Sequence, residues 1–158
     1  MRVYTPDELR RFLEGVDAAL LGKAEVVVIG GAVERARQAT GLAVPFAQSG
    51  VAYGPAELES RLERALPHLE RLAVKVPEKH DLVLMKVVRG DEHDLQAIEA
   101  IHQRSPLDLE TLLDRYQGEM GAAIIDPRRL KGHVLTLVER LFPEQLDIVE
   151  ARLRKRGT

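Results

Sequence analysis

Residues 25–32 decide the fold, and they read Glu25-Val26-Val27-Val28-Ile29-Gly30-Gly31-Ala32. The β-branched run predicts a buried strand, and apolar residues on both of its faces predict a central place in a sheet. Two glycines between a strand and a helix allow backbone N–H groups to approach a phosphate. Gly30 and Gly31 are therefore predicted phosphate-binding residues, although a tight turn that needs glycine for steric reasons explains them equally well.

Apolar periodicity along the rest of the chain predicts a small α/β part followed by a helical part. A capping box at 5–8 begins the first helix, and Gly22 ends it. Further strands are predicted at 42–47 and 72–76, with a helix between them that Pro55 opens and that runs to Leu69. The later helices are predicted at 78–89, 91–103, 108–117, 127–142 and 143–156. We expect a single domain over 1–158, with the α/β part at about 1–77 and the helical part at about 78–158.

The composition excludes several classes of function. A net charge of −2 makes a general attraction to nucleic acid or to an anionic membrane improbable, and the basic run at 152–156 is explained as a solvated helix end. The absence of cysteine excludes disulfides, zinc–thiolate sites and cysteine nucleophiles. Without a signal peptide or a long apolar stretch, we expect a cytoplasmic protein with no membrane contact. The absence of Asn and Trp fits a thermophilic source.

Two pairs of adjacent residues, His80-Asp81 and His93-Asp94, are the main candidates for a metal site. Such a pair on a helix resembles the centre of the metal-dependent HD phosphohydrolases, which also need a further His and Asp on neighbouring helices. The predicted strand before Gly30 argues against the all-helical fold of that family, so we interpret the histidines as solvent-exposed and predict no metal site. The residues concerned are His68, His80, Asp81, His93, Asp94, Asp114 and Asp126.

Two regions together resemble the minimal nucleotidyltransferase-fold proteins related to abortive-infection (AbiEii-type) toxins of bacterial toxin–antitoxin pairs. One is the strand and Gly-Gly turn at 27–32, and the other comprises the aspartate–lysine helix at 81–86 and the Asp-Leu-x-x-Ile helix at 94–101. The following helix, at 107–116, is similar as well, so that the resemblance covers about 8–117. It implies a small mixed sheet with helices packed on it, followed by a helical half. It also implies nucleotide-binding roles for Gly30, Gly31, Lys86 and Asp94.

The departures from that family concern its metal ligands. The two aspartates of the expected Asp-x-Asp strand fall on Leu42 and Val44, and no Asp or Glu occurs between Glu34 and Glu57. In the family these carboxylates hold the metal ions that clamp the triphosphate, and aliphatic side chains cannot bind a hard cation. The resemblance therefore implies a catalytically degenerate protein, a pseudoenzyme, that acts by binding a nucleotide or a protein and needs no cofactor.

Two alternatives stay open at this point. One is an active Mg²⁺-dependent nucleotidyltransferase whose carboxylates come from Glu34, Asp81 and Asp94. The other is an interaction module, either one half of a toxin–antitoxin pair or a homodimer. The sequence assigns no catalytic residue.

Overall fold

The computed structural model describes residues 6–27, 54–122 and 126–155. These residues form two compact units: an α/β unit (6–27 and 61–77) and a helical unit (54–60, 78–122 and 126–155). The predicted fold class, a small mixed sheet with helices and then a helical half, is confirmed. Among the described residues, no helix combines the length and the apolar character needed to cross a bilayer.

The α/β unit contains helix α1 (Pro6–Ala19) and strands β1 (Ala24–Val27), β2 (Glu63–Ala65) and β3 (Leu72–Val76). The described strands follow the order β1-β3-β2; β1 pairs with β3 in parallel and β2 pairs with it antiparallel. A central place for β1 in the sheet, as predicted, requires a second neighbouring strand in addition to β3. Among the described strands β1 has β3 as its one neighbour, so its central place stays a prediction. The predicted strand at 42–47 and the Thr5 cap of α1 lie outside the described residues.

Helix α1 is held to β3 by apolar packing and by one carboxylate. Leu13 is buried in a cluster with Val26, Leu72 and Val74. At the other end of the helix, Asp17 accepts the backbone N–H of Leu72 at 2.6 Å and that of the preceding residue at 2.7 Å. The hydrogen bond from Leu72 lowers the pKa of Asp17. The carboxylate therefore fixes the start of β3 against the last turns of α1.

The predicted helix from Pro55 to Leu69 is wrong. A short 3₁₀ turn, Leu58–Arg61, is followed by strand β2, although the leucines here recur at helical spacing. Pro67 disfavours a helical conformation at Leu66, which has a φ of 51°. The backbone groups of β2 instead pair with β3, and Leu69 enters the core of the α/β unit.

The helical unit contains the five helices that periodicity predicts: α2 (Lys79–Arg89), α3 (Glu92–Arg104), α4 (Leu109–Glu119), α5 (Pro127–Leu141) and α6 (Leu146–Lys155). Helix α2 is central, because it contacts α3, α4 and α5, while α5 also contacts α6. An acidic residue caps the N-terminus of each of the helices α2, α3, α4 and α5 and accepts a backbone N–H. The best-buried core side chains are Val83, Leu84, Val87, Ile98, Leu112, Leu113, Val138 and Val149.

The turn between α2 and α3 requires glycine. Gly90 ends α2 with a φ of +65°, in the left-handed region, and its N–H bonds to the Lys86 carbonyl. The His133 ring packs against it and lies 2.9 Å, through Nδ1, from the Val87 carbonyl oxygen. A Cβ at Gly90 would collide with that ring.

We predict that Gly90→Ala lowers the free energy of unfolding by about 2–3 kcal/mol, because the new methyl group meets both backbone strain and the imidazole. Gly132→Ala is the matched control, since a Cβ there meets nothing within 4 Å and the residue lies inside α5. The control is expected to gain about 0.5–1 kcal/mol. Chemical denaturation measures both variants, and equal stability of the two would contradict this account of the turn.

Candidate functional site

Two residues predicted to bind a nucleotide, Lys86 and Asp94, are in direct contact. The Lys86 Nζ lies 3.3 Å from the Asp94 Oδ1. Arg89 donates to the same carboxylate through two nitrogens, with its Nε 2.8 Å from Oδ2 and its Nη2 bound to Oδ1. We call these three residues the Asp94 cluster.

The local sequence explains why the Asp94 cluster forms. Lys86 and Arg89 lie in the last turn of α2, where basic side chains complement the helix dipole. Gly90 reverses the chain, and Asp91 caps α3 by accepting the Asp94 N–H at 2.8 Å. The last turn of α2 thus lies beside the first turn of α3. The two basic side chains of α2 therefore contact Asp94 of α3.

The members of the Asp94 cluster differ in burial. The side chain of Asp94 is 1% exposed, that of Lys86 15% and that of Arg89 43%. Burial alone would raise the pKa of Asp94, but the hydrogen bonds and charges of Arg89 and Lys86 outweigh it and lower that pKa. Arg89 makes the shorter bonds, so it is the principal partner of the carboxylate. The ammonium of Lys86 is held more loosely.

A second group of charged side chains, the Arg115 cluster, lies at the other end of α2 and comprises Glu78, His80, Asp81 and Arg115. The Arg115 Nη1 donates to the Asp81 Oδ1 at 2.8 Å and to Glu78. Asp81 is fully buried. For Glu78, burial would raise the pKa, but hydrogen bonds from His80 and Arg115 lower it overall.

The interpretation of the histidines as exposed is wrong for His80, which is buried. Its Nδ1 lies 2.7 Å from a Glu78 oxygen, and its Nε2 lies 3.0 Å from the Asp108 backbone nitrogen. Because Nε2 accepts that N–H, the proton of the neutral ring is on Nδ1, which donates to Glu78. The Nδ1 atom therefore bonds within the start of α2, to its cap Glu78, and the Nε2 atom fastens α2 to the start of α4.

The other residues considered for a metal site are dispersed. His93 is exposed, His68 contacts Glu14, Asp114 binds Arg152, and Asp126 caps α5. In the parts of the chain that the structure describes, no three His, Asp or Glu side chains are grouped so that they could hold a metal ion.

The remaining sequence predictions lie outside the described residues. They concern the phosphate-binding Gly30 and Gly31, the carboxylate of Glu34, and the aliphatic residues Leu42 and Val44. Their roles stay predictions.

Sequence reasoning missed the arginines. Arg89 could have been found from the sequence. It lies in the last turn of one helix, just before a glycine that ends it, and an acid lies in the first turn of the following helix, which favours an ion pair between the two helices. Arg115 gives no such signal, since it bonds to Asp81 across 34 residues of sequence. Only the docking of α4 on α2 brings these two side chains together.

One comparison with known proteins identifies a family for this chain. Residues 5–139 match the family described as "Nucleotidyltransferase of unknown function (DUF6036)". The match covers most of the chain, which therefore belongs to that family, and the nucleotidyltransferase-like resemblance is confirmed. No curated protein and no solved structure matches the chain.

Nucleotidyl transfer normally uses a metal pair held by carboxylates, and the described residues do not fit that requirement. Asp81 is bound to Arg115, and Asp94 is bound to Arg89 and Lys86. Each carboxylate is thus buried and paired with a cation of the protein itself, so that a metal ion would meet a like charge beside it.

We predict that Arg115→Met lowers the free energy of unfolding by about 3 kcal/mol, because the fully buried Asp81 and the partly buried Glu78 lose the guanidinium that balances them. The control is Arg154→Met, which removes a 72% exposed arginine from an i,i+4 pair with Glu150 and is expected to change stability by less than about 0.5 kcal/mol. Urea denaturation compares the two. Equal losses would show that the Arg115 cluster contributes no more than a surface pair.

We also predict an acid-dependent contribution from Asp94. Its pKa is lower in the folded protein than in the unfolded chain, so its stabilising effect is present above the ordinary value near pH 4 and is lost as the pH falls through the folded value. The stability difference between wild type and Asp94→Asn should therefore shrink between about pH 5 and pH 3. Denaturation midpoints at each pH measure it, with Glu139→Gln on the exposed side of α5 as the control. A difference that is constant over this range would contradict the lowered pKa.

Proposed function

We propose that this protein binds a nucleotide through Lys86 of the Asp94 cluster and has lost metal-dependent nucleotidyl transfer. The observation that supports the proposal is the position of the Lys86 ammonium group at the end of α2, beside a carboxylate that Arg89 already satisfies. A lysine that is only loosely bound to such a carboxylate is available as a counter-charge for a phosphate. On the sequence pattern, Gly30 and Gly31 are further proposed phosphate contacts.

The loss of transfer is proposed from the state of the carboxylates. The active alternative takes its metal ligands from Glu34, Asp81 and Asp94. Glu34 lies outside the described residues, and the two aspartates are buried and bonded to basic side chains. The sequence also has Leu42 and Val44 where the family resemblance expects the paired aspartates. Together these features favour binding over catalysis.

Other parts of the sequence interpretation stay predictions. They are the relation to abortive-infection toxins, a protein partner or homodimer, the cytoplasmic location and the thermophilic source.

We predict that ATP binds the wild-type protein and that Lys86→Met weakens binding about tenfold or more, because one charge-assisted contact to phosphate is lost. Isothermal titration calorimetry measures both proteins. Lys79→Met is the matched control, since Lys79 is on the same helix but bonds to Ser105 and Pro106, and it should bind ATP like the wild type.

Two results would overturn the proposal. One is the absence of ATP binding at millimolar concentration, with or without Mg²⁺. The other is release of pyrophosphate from nucleoside triphosphates in the presence of Mg²⁺ and an acceptor, since that would establish the active alternative. Circular dichroism of each variant ensures that a loss of binding is not a loss of fold.

A further inference from the structure

We propose that the nucleotide is bound as a metal-free polyphosphate anion, with the Lys86 ammonium supplying the positive charge that a metal ion supplies in active nucleotidyltransferases. This inference rests on the nucleotide-binding function proposed above and specifies the form of the ligand. It follows from how the oxygens of Asp94 are used, from the charges of Lys86 and Arg89, and from the sequence that follows Gly30 and Gly31.

Both carboxylate oxygens of Asp94 are engaged by the protein. Arg89 bonds to Oδ1 and to Oδ2, and Lys86 shares Oδ1. A Mg²⁺ ion needs oxygen ligands at about 2.0–2.1 Å in near-octahedral geometry. Three of the roughly four lone-pair positions of the carboxylate are already used, and the side chain is 1% exposed. A metal ion that reached Asp94 would therefore have to open the packing around it and would then lie beside two cations.

Lys86 can reach a ligand at much lower cost. An ammonium group has three donors, and within the described residues Asp94 is its one hydrogen-bond acceptor, at the long distance of 3.3 Å. A phosphate oxygen can accept a hydrogen bond from a second N–H of the Lys86 ammonium group while the Arg89–Asp94 contact stays intact. The carboxylate then acts as a support that orients the ammonium, and Arg89 keeps that carboxylate in place.

The two basic side chains of the Asp94 cluster favour a ligand without a metal ion. A phosphate that carries Mg²⁺ brings a divalent cation towards Lys86 and Arg89, where like charges repel. A phosphate without the metal meets attraction from these two side chains, both of which contact Asp94. Of the neighbouring carboxylates, Glu92 is bound to Arg140, and Asp91 accepts the Asp94 N–H.

The sequence leads to the same conclusion independently of the helical unit. The 22 residues between Glu34 and Glu57 contain no Asp or Glu, so the segment after Gly30 and Gly31 offers no carboxylate to a metal ion.

The experiment compares ATP binding in EDTA with binding in excess Mg²⁺, by calorimetry on the full chain. For the wild type we expect a Kd in EDTA equal to or tighter than the Kd with Mg²⁺. In EDTA, Lys86→Met should weaken binding about tenfold or more, whereas Lys86→Arg retains the charge and should keep most of the affinity. Lys79→Met should match the wild type in both buffers.

The outcomes separate this inference from the function on which it rests. ATP binding that weakens tenfold or more when Mg²⁺ is removed would overturn the inference and leave nucleotide binding in place. No binding in either buffer would overturn the proposed function itself. Lys86→Met protein that binds as well as the wild type in EDTA, with an unchanged circular dichroism spectrum, would also overturn the inference.

Discussion

The Arg115 guanidinium bonds to the carboxylates of Glu78 and Asp81, and the docking of α4 on the central helix α2 depends on that contact. Asp81 is fully buried, and a buried carboxylate is strongly unfavourable unless a cation and hydrogen bonds satisfy it. His80 adds a second polar contact between these helices, because its Nε2 accepts the N–H of Asp108, the residue that caps α4. Polar contacts therefore fix where α4 begins, and apolar side chains then fill the space between the helices.

The same principle acts at the other end of α2, with the signs of charge reversed. The helix carries an acid in its first turn and bases in its last turn, as its dipole favours. The acid bonds to Arg115 on α4, and the bases bond to Asp94 on α3. Between the two clusters lie apolar residues that are almost completely buried, including Val83 and Leu84. One short helix thus specifies the positions of two neighbours through charge and supplies the core between them.

The sequence predicted the helical unit well because each helix there buries one apolar stripe against its neighbours, and that stripe has the period of a helix. It failed after Pro55, where the leucines have the same spacing but strand pairing with β3 prevails. Lys86 and Asp94 were both selected from the sequence. Their contact was not, because it depends on the left-handed turn at Gly90. Arg115 was missed because its partners are distant in sequence.

The Asp94 cluster shows how the protein's own cations hold a buried carboxylate in this fold. A buried carboxylate is strongly unfavourable unless a cation and hydrogen bonds satisfy it. Arg89 bonds to both oxygens of Asp94, and Lys86 shares one of them at a longer distance. Because Arg89 alone engages both oxygens, Lys86 is the more loosely bound of the two cations. The nucleotide binding that we propose uses this second ammonium charge as the partner of a phosphate.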